Sequence, residues 1–208
     1  MLKKYSVLLG ISISLCLILV AIMVYPGGSF FDSNSVGFDW SKNFISNLFA
    51  PKALNGAENP SVIWADAGMI LLSASIALFF IHFSAKIPAG SASKIIKYLG
   101  AGGMLFTFLI VTPMHDLMVT VASTLFLMCI FYITVFILKS RLHLFKFLCV
   151  LAMLVFYYTL WLYGSGNYDD LPIMQKINFA SMLSLILVVE YFTAKSDFEP
   201  LVKSSPDK

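Results

Sequence analysis

Charge is what this sequence has least of. Only 12% of its 208 residues are Asp, Glu, Lys or Arg, about half the fraction carried by a water-soluble domain. Long polar stretches are missing as well: 59% of the residues are hydrophobic and the mean hydropathy is +0.87. The apolar residues arrive in blocks long enough to cross a bilayer. A chain of this length has room for one membrane bundle and no separate soluble domain. No basic run resembles a nucleic-acid surface, so nucleic acid is not an expected partner. Cysteine is sparse, and Cys16, Cys129 and Cys149 all fall in apolar blocks without metal-ligand spacing; they read as small buried hydrophobes. There is no Walker motif, no haem-ligating pair and no mid-span lysine. No unbroken relay of charge crosses the apolar blocks, which argues against ion pumping. Proline-broken helices in matching halves are absent too, which argues against a transporter.

What is present is a succession of six apolar segments: Ser6–Tyr25, Ile63–Ser84, Ile95–Thr112, Leu117–Leu138, Leu144–Tyr163 and Ile177–Phe192. Hydrocarbon offers no water to peptide groups, so each is expected to be a helix. The expected fold is therefore all-α, a polytopic transmembrane bundle of six helices forming one domain over 1–194, with a short polar tail over 195–208. The first segment exceeds the ~7–15-residue core of a cleaved signal and no A-x-A site follows it, so it reads as a retained span. Eleven of the fourteen basic residues fall on the side holding both termini and the second and fourth loops. Only Lys42, Lys52 and Lys176 fall on the other side. That asymmetry places both termini in the cytoplasm. Trp40, Trp64 and Trp161, with Tyr25, Tyr163 and Tyr168, gather at the opposite boundary, as an interfacial belt does.

The first outer loop, 26–60, is the longest segment between spans, and loops of that length usually carry function or structure of their own. Pro26-Gly27-Gly28 breaks the first helix. Over Asp39–Phe49 the residues Trp40, Phe44, Ile45, Leu48 and Phe49 recur at helical spacing, with Lys42, Asn43, Ser46 and Asn47 opposite them. The pattern predicts a short amphipathic helix ended by Pro51, lying on the membrane surface or capping the bundle. On the sixth span Gln175, Asn178, Ser181 and Ser184 form a polar stripe, which suits interhelical hydrogen bonding or the lining of an outward cavity. Trp40, Asn43, Asn47, Gln175 and Asn178 are the candidate ligand-lining residues. The Gly100-Ala101-Gly102-Gly103 run lies within a span with no preceding strand, and reads as close helix packing rather than a phosphate loop.

Seven of the eleven acids lie on the outer side. Asp66 falls about one turn inside the second span, where an ionised carboxylate needs water or a partner. His115 and Asp116 sit in the expected turn Thr112–Asp116, from which His115 can reach Asp66 or Asp116 and be oriented by it. Two readings stay open: a general acid/base or partial metal site, and a polar cluster pinning the loop ends. Catalytic zinc normally takes three protein ligands rich in His, and His82 and His143 fall about a bilayer thickness away. No metal or other cofactor is therefore expected. Ser46 shares the outer side with His115 and the acids, but no nucleophile-elbow signature surrounds it; local hydrogen bonding is the alternative. Glu190, near the inner end of the last span, needs a partner or a path to the surface, with Lys94 and His82 as candidates.

Tyr25-Pro26-Gly27-Gly28, Asn43-Phe44-Ile45-Ser46-Asn47-Leu48, Pro113-x-His115 and Leu171-Pro172-Ile173-Met174-Gln175-Lys176 together resemble a bacterial six-span family known as domain of unknown function 998. That family is similar in layout to the eukaryotic Frag/DRAM/Sfk group. The resemblance covers nearly the whole chain and implies a six-helix bundle in a bacterial inner membrane, without implying an activity. A weaker similarity is to membrane hydrolases of the alkaline ceramidase type, which place Ser, Asp and His at a zinc site; the paired histidines of their last span are missing.

Three functions follow. The first is a non-catalytic protein that senses, scaffolds or binds lipid through an outward polar site, with membrane lipids as partners. The second is a membrane-embedded hydrolase or transferase acting on an outer-leaflet lipid, with His115 as base and Asp66 or Asp116 orienting it. The third is a small-solute transporter.

Overall fold

The computed structural model describes residues 5–88, 90–109 and 114–199, except for the side chains of residues 108, 115 and 116. Six α-helices run through these residues: α1 (Ser6–Val24), α2 (Ser61–Lys86), α3 (Gly90–Leu109), α4 (His115–Lys139), α5 (His143–Ser165) and α6 (Leu171–Phe192). There are no strands among the described residues, only two isolated bridges, Gly27 with Val36 and Lys52 with Glu58. All-α architecture is thus as expected. Five helices are long and apolar enough to cross a membrane: α1, α2, α4, α5 and α6. α3 is not counted with them. Lys94 and Lys97 in its first turns and its four glycines dilute an apolar run that continues into 110–112, outside the described residues. α1 stops one residue short of its apolar run, while α2, α4, α5 and α6 start earlier or end later than theirs, because a helix keeps its backbone hydrogen bonds beyond the last apolar side chain.

Packing divides the chain into two compact units, and the division falls inside α2, α5 and α6. The first unit joins residues 1–72 to 155–181. It contains α1, whose sequence has no charge from Ser6 to Val24 and buries Val7, Gly10, Ile11, Ser14, Ile18 and Ala21. The Ser14 hydroxyl donates to the Gly68 carbonyl at 2.7 Å. A side chain at Gly68 would come within 3.0 Å of Ile18 Cγ1 and 3.2 Å of the Ser14 carbonyl oxygen. Small residues here let two backbones approach, as in helix pairs that associate without a hydrophobic drive.

The second unit joins residues 73–154 to 182–208. Phe79, Phe80 and Phe83 are its buried anchors, with the Phe80 ring edge-on to Phe126 at 5.9 Å. The glycine run of α3 does pack closely: a Cβ on Gly100 would lie 2.4 Å from Cγ of Phe80, and one on Gly103 would lie 3.2 Å from Leu125 Cβ. Gly102 faces open space. Cys129 and Cys149 are buried, while Cys16 on α1 is exposed, contrary to the expectation for all three.

The segment after α6 is also more structured than a polar tail. A 3-10 turn at Lys195–Asp197 is closed by the Ala194 N–H donating to Asp197 Oδ2 at 2.7 Å. It delivers Phe198 to full burial, edge-on to Phe83 at 5.6 Å. One aromatic residue inside a charged stretch suffices to dock it.

The contrast between two glycines of one helix is testable. Gly100→Ala is expected to destabilise the protein by about 1–3 kcal/mol through overpacking against a buried ring. Gly102→Ala should be neutral or slightly stabilising, since alanine is the better helix former. Thermal unfolding of the detergent-solubilised variants checks both.

Candidate functional site

The polar residues that the sequence gathers in loop 26–60 come together in the first unit, and they do so around backbone. Gly27 and Gly28 both take positive φ, and a Cβ on either would come within 2.2 Å of main-chain atoms of Ser35 or Asn55. Only glycine fits there. The chain then folds into two small hairpins. In the first, the Gly28 N–H donates to the Ser35 carbonyl at 2.8 Å and the Gly37 N–H to that of Pro26 at 3.1 Å. In the second, Ala53 N–H donates to the Ala57 carbonyl and Asn59 N–H to that of Pro51. Asn55 N–H donates to the Gly27 carbonyl at 3.3 Å, tying the hairpins together.

The Tyr25 hydroxyl sits at this junction, accepting from the Leu54 N–H at 3.2 Å and donating to the Gly28 carbonyl at 3.3 Å. Burial pushes its ionisation above the usual tyrosine range, partly offset by the Leu54 contact, so the phenol stays a donor.

The amphipathic helix expected over Asp39–Phe49 is not formed as such; this is a correction. Asp39–Asn43 make a turn, and helix appears only as a 3-10 segment at Ile45–Phe49. Leu48 and Phe49 are buried as expected, but two positions are reversed. Asn43 is fully buried, while Trp40 is 55% exposed. The reason is hydrogen bonding over distance. Asn43 Oδ1 accepts from the Asp39 N–H at 2.8 Å, and its Nδ2 donates to the Gly28 carbonyl at 2.7 Å. Asn47 Oδ1 takes the Phe44 N–H at 2.7 Å. Asn59 Nδ2 reaches the Ala50 carbonyl at 2.8 Å, and the Ser61 hydroxyl donates to that of Leu48 at 2.9 Å. A buried amide with both ends bonded outweighs the preference of a ten-residue stripe.

Two residues of α6 complete the arrangement. Gln175 Oε1 accepts from the Ile45 N–H at 2.8 Å. The Lys176 ammonium donates to the carbonyls of Asn43 at 2.6 Å and Pro172 at 2.8 Å, with the Phe38 ring 5.5 Å away. Asp39, half-buried, folds its own turn, accepting from the Ser41 hydroxyl at 2.6 Å and its N–H at 2.8 Å. These bonds, the hydroxyl first, hold its carboxyl below the usual aspartate range.

Of the candidate ligand-lining residues, Asn43, Asn47 and Gln175 are thus brought together, and their amides are committed to backbone. Trp40 packs edge-on to Phe38 at 5.6 Å. Asn178 differs: its Oδ1 is buried and has no hydrogen-bond partner among the described residues. Asp66 Oδ1 is in the same condition. Both belong to the first unit. Ser46 lies half-buried on the 3-10 segment.

His115 and Asp116 open α4, with Met114 at its N-cap, so they occupy a first helical turn rather than the expected loop. Their side chains lie outside the described residues, as do residues 110–113. Among the described residues, no three His, Cys, Asp or Glu side chains group closely enough to hold a metal ion.

Sequence reasoning missed Lys176, Tyr25 and Asn59. Asn59 carried a signal, since Asn59-Pro60-Ser61 just before an apolar run is a helix-start pattern. In the second unit Glu190 finds His82, as expected, with Nδ1 2.7 Å from Oε1. Lys94 is replaced by Lys86, 3.9 Å from Oε2 and donating to the Glu190 carbonyl at 2.6 Å. The signal was the spacing: His82 and Lys86 are one turn apart on α2.

Asn43→Ala removes the amide contacts, leaves the Asp39 N–H without its partner and the Gly28 carbonyl with the Tyr25 hydroxyl alone, at a cost of about 1–3 kcal/mol for a buried group left unpaired. We expect limited proteolysis within 26–60 to accelerate strongly. Lys42→Ala, at an exposed position, should leave the rate unchanged.

No family model, curated protein or solved structure matches this chain.

Proposed function

We propose that the chain is a six-span protein of a bacterial inner membrane, with both termini cytoplasmic, whose outward cap is a preformed non-catalytic surface for sensing or scaffolding. The observation that carries this reading is the commitment of Asn43, Asn47, Gln175 and Lys176 to main-chain groups of the cap. Side chains spent in this way hold a shape and are not available for acid–base work. Support for six spans comes from the segregation of basic residues, eleven against three, which the loss of a span would scramble. Support for the family reading comes from two of its motifs: Asn43–Leu48 and Leu171–Lys176 meet through the Ile45–Gln175 and Asn43–Lys176 bonds.

The orientation is tested by cysteine labelling in intact cells. A membrane-impermeant maleimide is expected to label Lys52→Cys directly and Lys139→Cys only after permeabilisation; the reverse order overturns the topology.

A second reading is a lipid hydrolase or transferase, and what favours it is the buried Asp66 oxygen, without a hydrogen-bond donor among the described residues. That is the condition of a carboxylate awaiting a partner. The two are separated by reconstituting the protein in nanodiscs with bacterial lipid extract and following lipid composition by mass spectrometry. We expect no time-dependent product. Turnover lost in both His115→Ala and Asp66→Asn would establish the enzymatic reading instead.

A further inference from the structure

The first cap hairpin carries two phenylalanines at its turn, and both point away from the protein core. Phe30 is 69% exposed and Phe31 40%. Their rings meet edge-on at 5.5 Å, and Phe30 also meets Tyr168, itself 41% exposed, at 6.0 Å. An apolar pair on a loose loop would fold back and cover itself. This loop is prevented from doing so. The glycine pair at its base has no room to move, and the Gly28–Ser35 and Ser29–Asp32 backbone bonds, both 2.8 Å, close the turn. Asn43 grips the Gly28 carbonyl from inside. Asp32, the one charge at the tip, is turned back onto the Asn34 N–H at 2.9 Å. The hairpin is therefore a rigid presentation of aromatic surface.

The place of that surface along the chain says what covers it. Phe30 follows the end of α1 by six residues, and α1 ends on exposed apolar side chains, Met23 at 84% and Val24 at 37%. Tyr168, which Phe30 touches, follows α5, whose last turns expose Trp161 stacked on Tyr158 at 5.7 Å. Aromatic surface continuous with the ends of two apolar helices matches the chemistry of the boundary between headgroups and acyl chains, where rings with one wet edge are favoured.

We propose that the Phe30–Phe31 tip, with Tyr168, docks into the interfacial layer of the leaflet on the cap side, anchoring the cap to the bilayer beside its own spans. The partner is a lipid surface. The proposal rests on the spanning reading given above and names what the exposed part of the cap binds.

The test places a nitroxide spin label at Phe30→Cys, at Met23→Cys and at Lys52→Cys, each in a Cys16→Ala background because Cys16 is the exposed native thiol. The proteins are reconstituted in phosphatidylcholine–phosphatidylglycerol vesicles. Collision with oxygen, which concentrates in lipid, is compared with collision with a water-soluble nickel chelate. An oxygen-to-chelate ratio at position 30 several-fold above that at position 52, and below or near that at position 23, supports the anchor. A ratio at 30 equal to that at 52, with 23 lipid-like, overturns the anchor and leaves the spans intact. Water-like values at both 23 and 30 overturn the spanning reading and the anchor together. A label at 30 shielded from both reagents overturns it in favour of burial against protein.

Discussion

The carbonyl of Gly28 is the point on which the cap closes. It accepts from the buried Asn43 amide and from the Tyr25 hydroxyl, so the end of α1, the first hairpin and the 39–43 turn meet at one oxygen. A segment between apolar helices cannot fill a large hydrophobic core of its own, since it is short and rich in glycine and asparagine. It must instead satisfy its peptide groups with side chains. Asparagine and glutamine suit this task because each carries a donor and an acceptor and neither titrates. Asn43, Asn47, Asn59 and Gln175 supply those groups, and Lys176 adds a cation to carbonyls that face it. Loss of Asn43, Asn47 or Gln175 leaves a backbone N–H of the cap without its partner.

The same logic governs the second unit with charged groups. Lys86 reaches the last carbonyls of α6 and the Thr193 hydroxyl at 3.4 Å, where a helix leaves acceptors unpaired and its dipole favours a cation. Glu190, almost fully buried, takes His82 on one oxygen and Lys86 near the other. Phe198 seals the adjoining surface of α2 through Phe83. A carboxylate one turn from the end of an apolar helix is tolerated because its partners are on hand and its helix ends there.

How much of this could be read in advance divides by length scale. The helices were legible because runs of about twenty apolar residues leave few alternatives, and the close packing of Gly100 was legible from glycine clustered within such a run. The Glu190–His82 pair was legible in outline, since an acid that deep must find a partner. The cap was not. Periodicity over Asp39–Phe49 assigned Asn43 to the wet side and Trp40 to the dry one, and the structure reverses both. Stripe reasoning weighs each residue by its transfer preference and assumes local partners. Here Ile45 bonds Gln175 across 130 positions of sequence, and Asn43 is buried because it completes a backbone network. No single-residue scale contains that term. For α3 the limit is different: two lysines and four glycines lower its apolar character below that of its neighbours although it packs against α4.

That reversal changes how the cap is to be understood. Polar residues in an outer loop invite a reading as ligand or catalytic groups, and aromatic ones as packing. In this cap buried amides share the packing with Leu48 and Phe49, while Phe30, Phe31 and Trp40 are left outside. A rigid frame that holds phenylalanine in the open has spent its hydrogen bonds to keep apolar surface available, which water alone would never favour. The docking proposal recovers the free energy of that exposure at the lipid boundary. On the docking proposal, the role of this part of the molecule depends on where Phe30 and Phe31 go, with the amides fixing the direction. Asp66 and Asn178 stand apart from this scheme, since their buried oxygens hold no backbone in place. They are the two polar groups of the first unit whose positions the architecture of the cap does not explain, and any chemistry beyond docking would have to begin there.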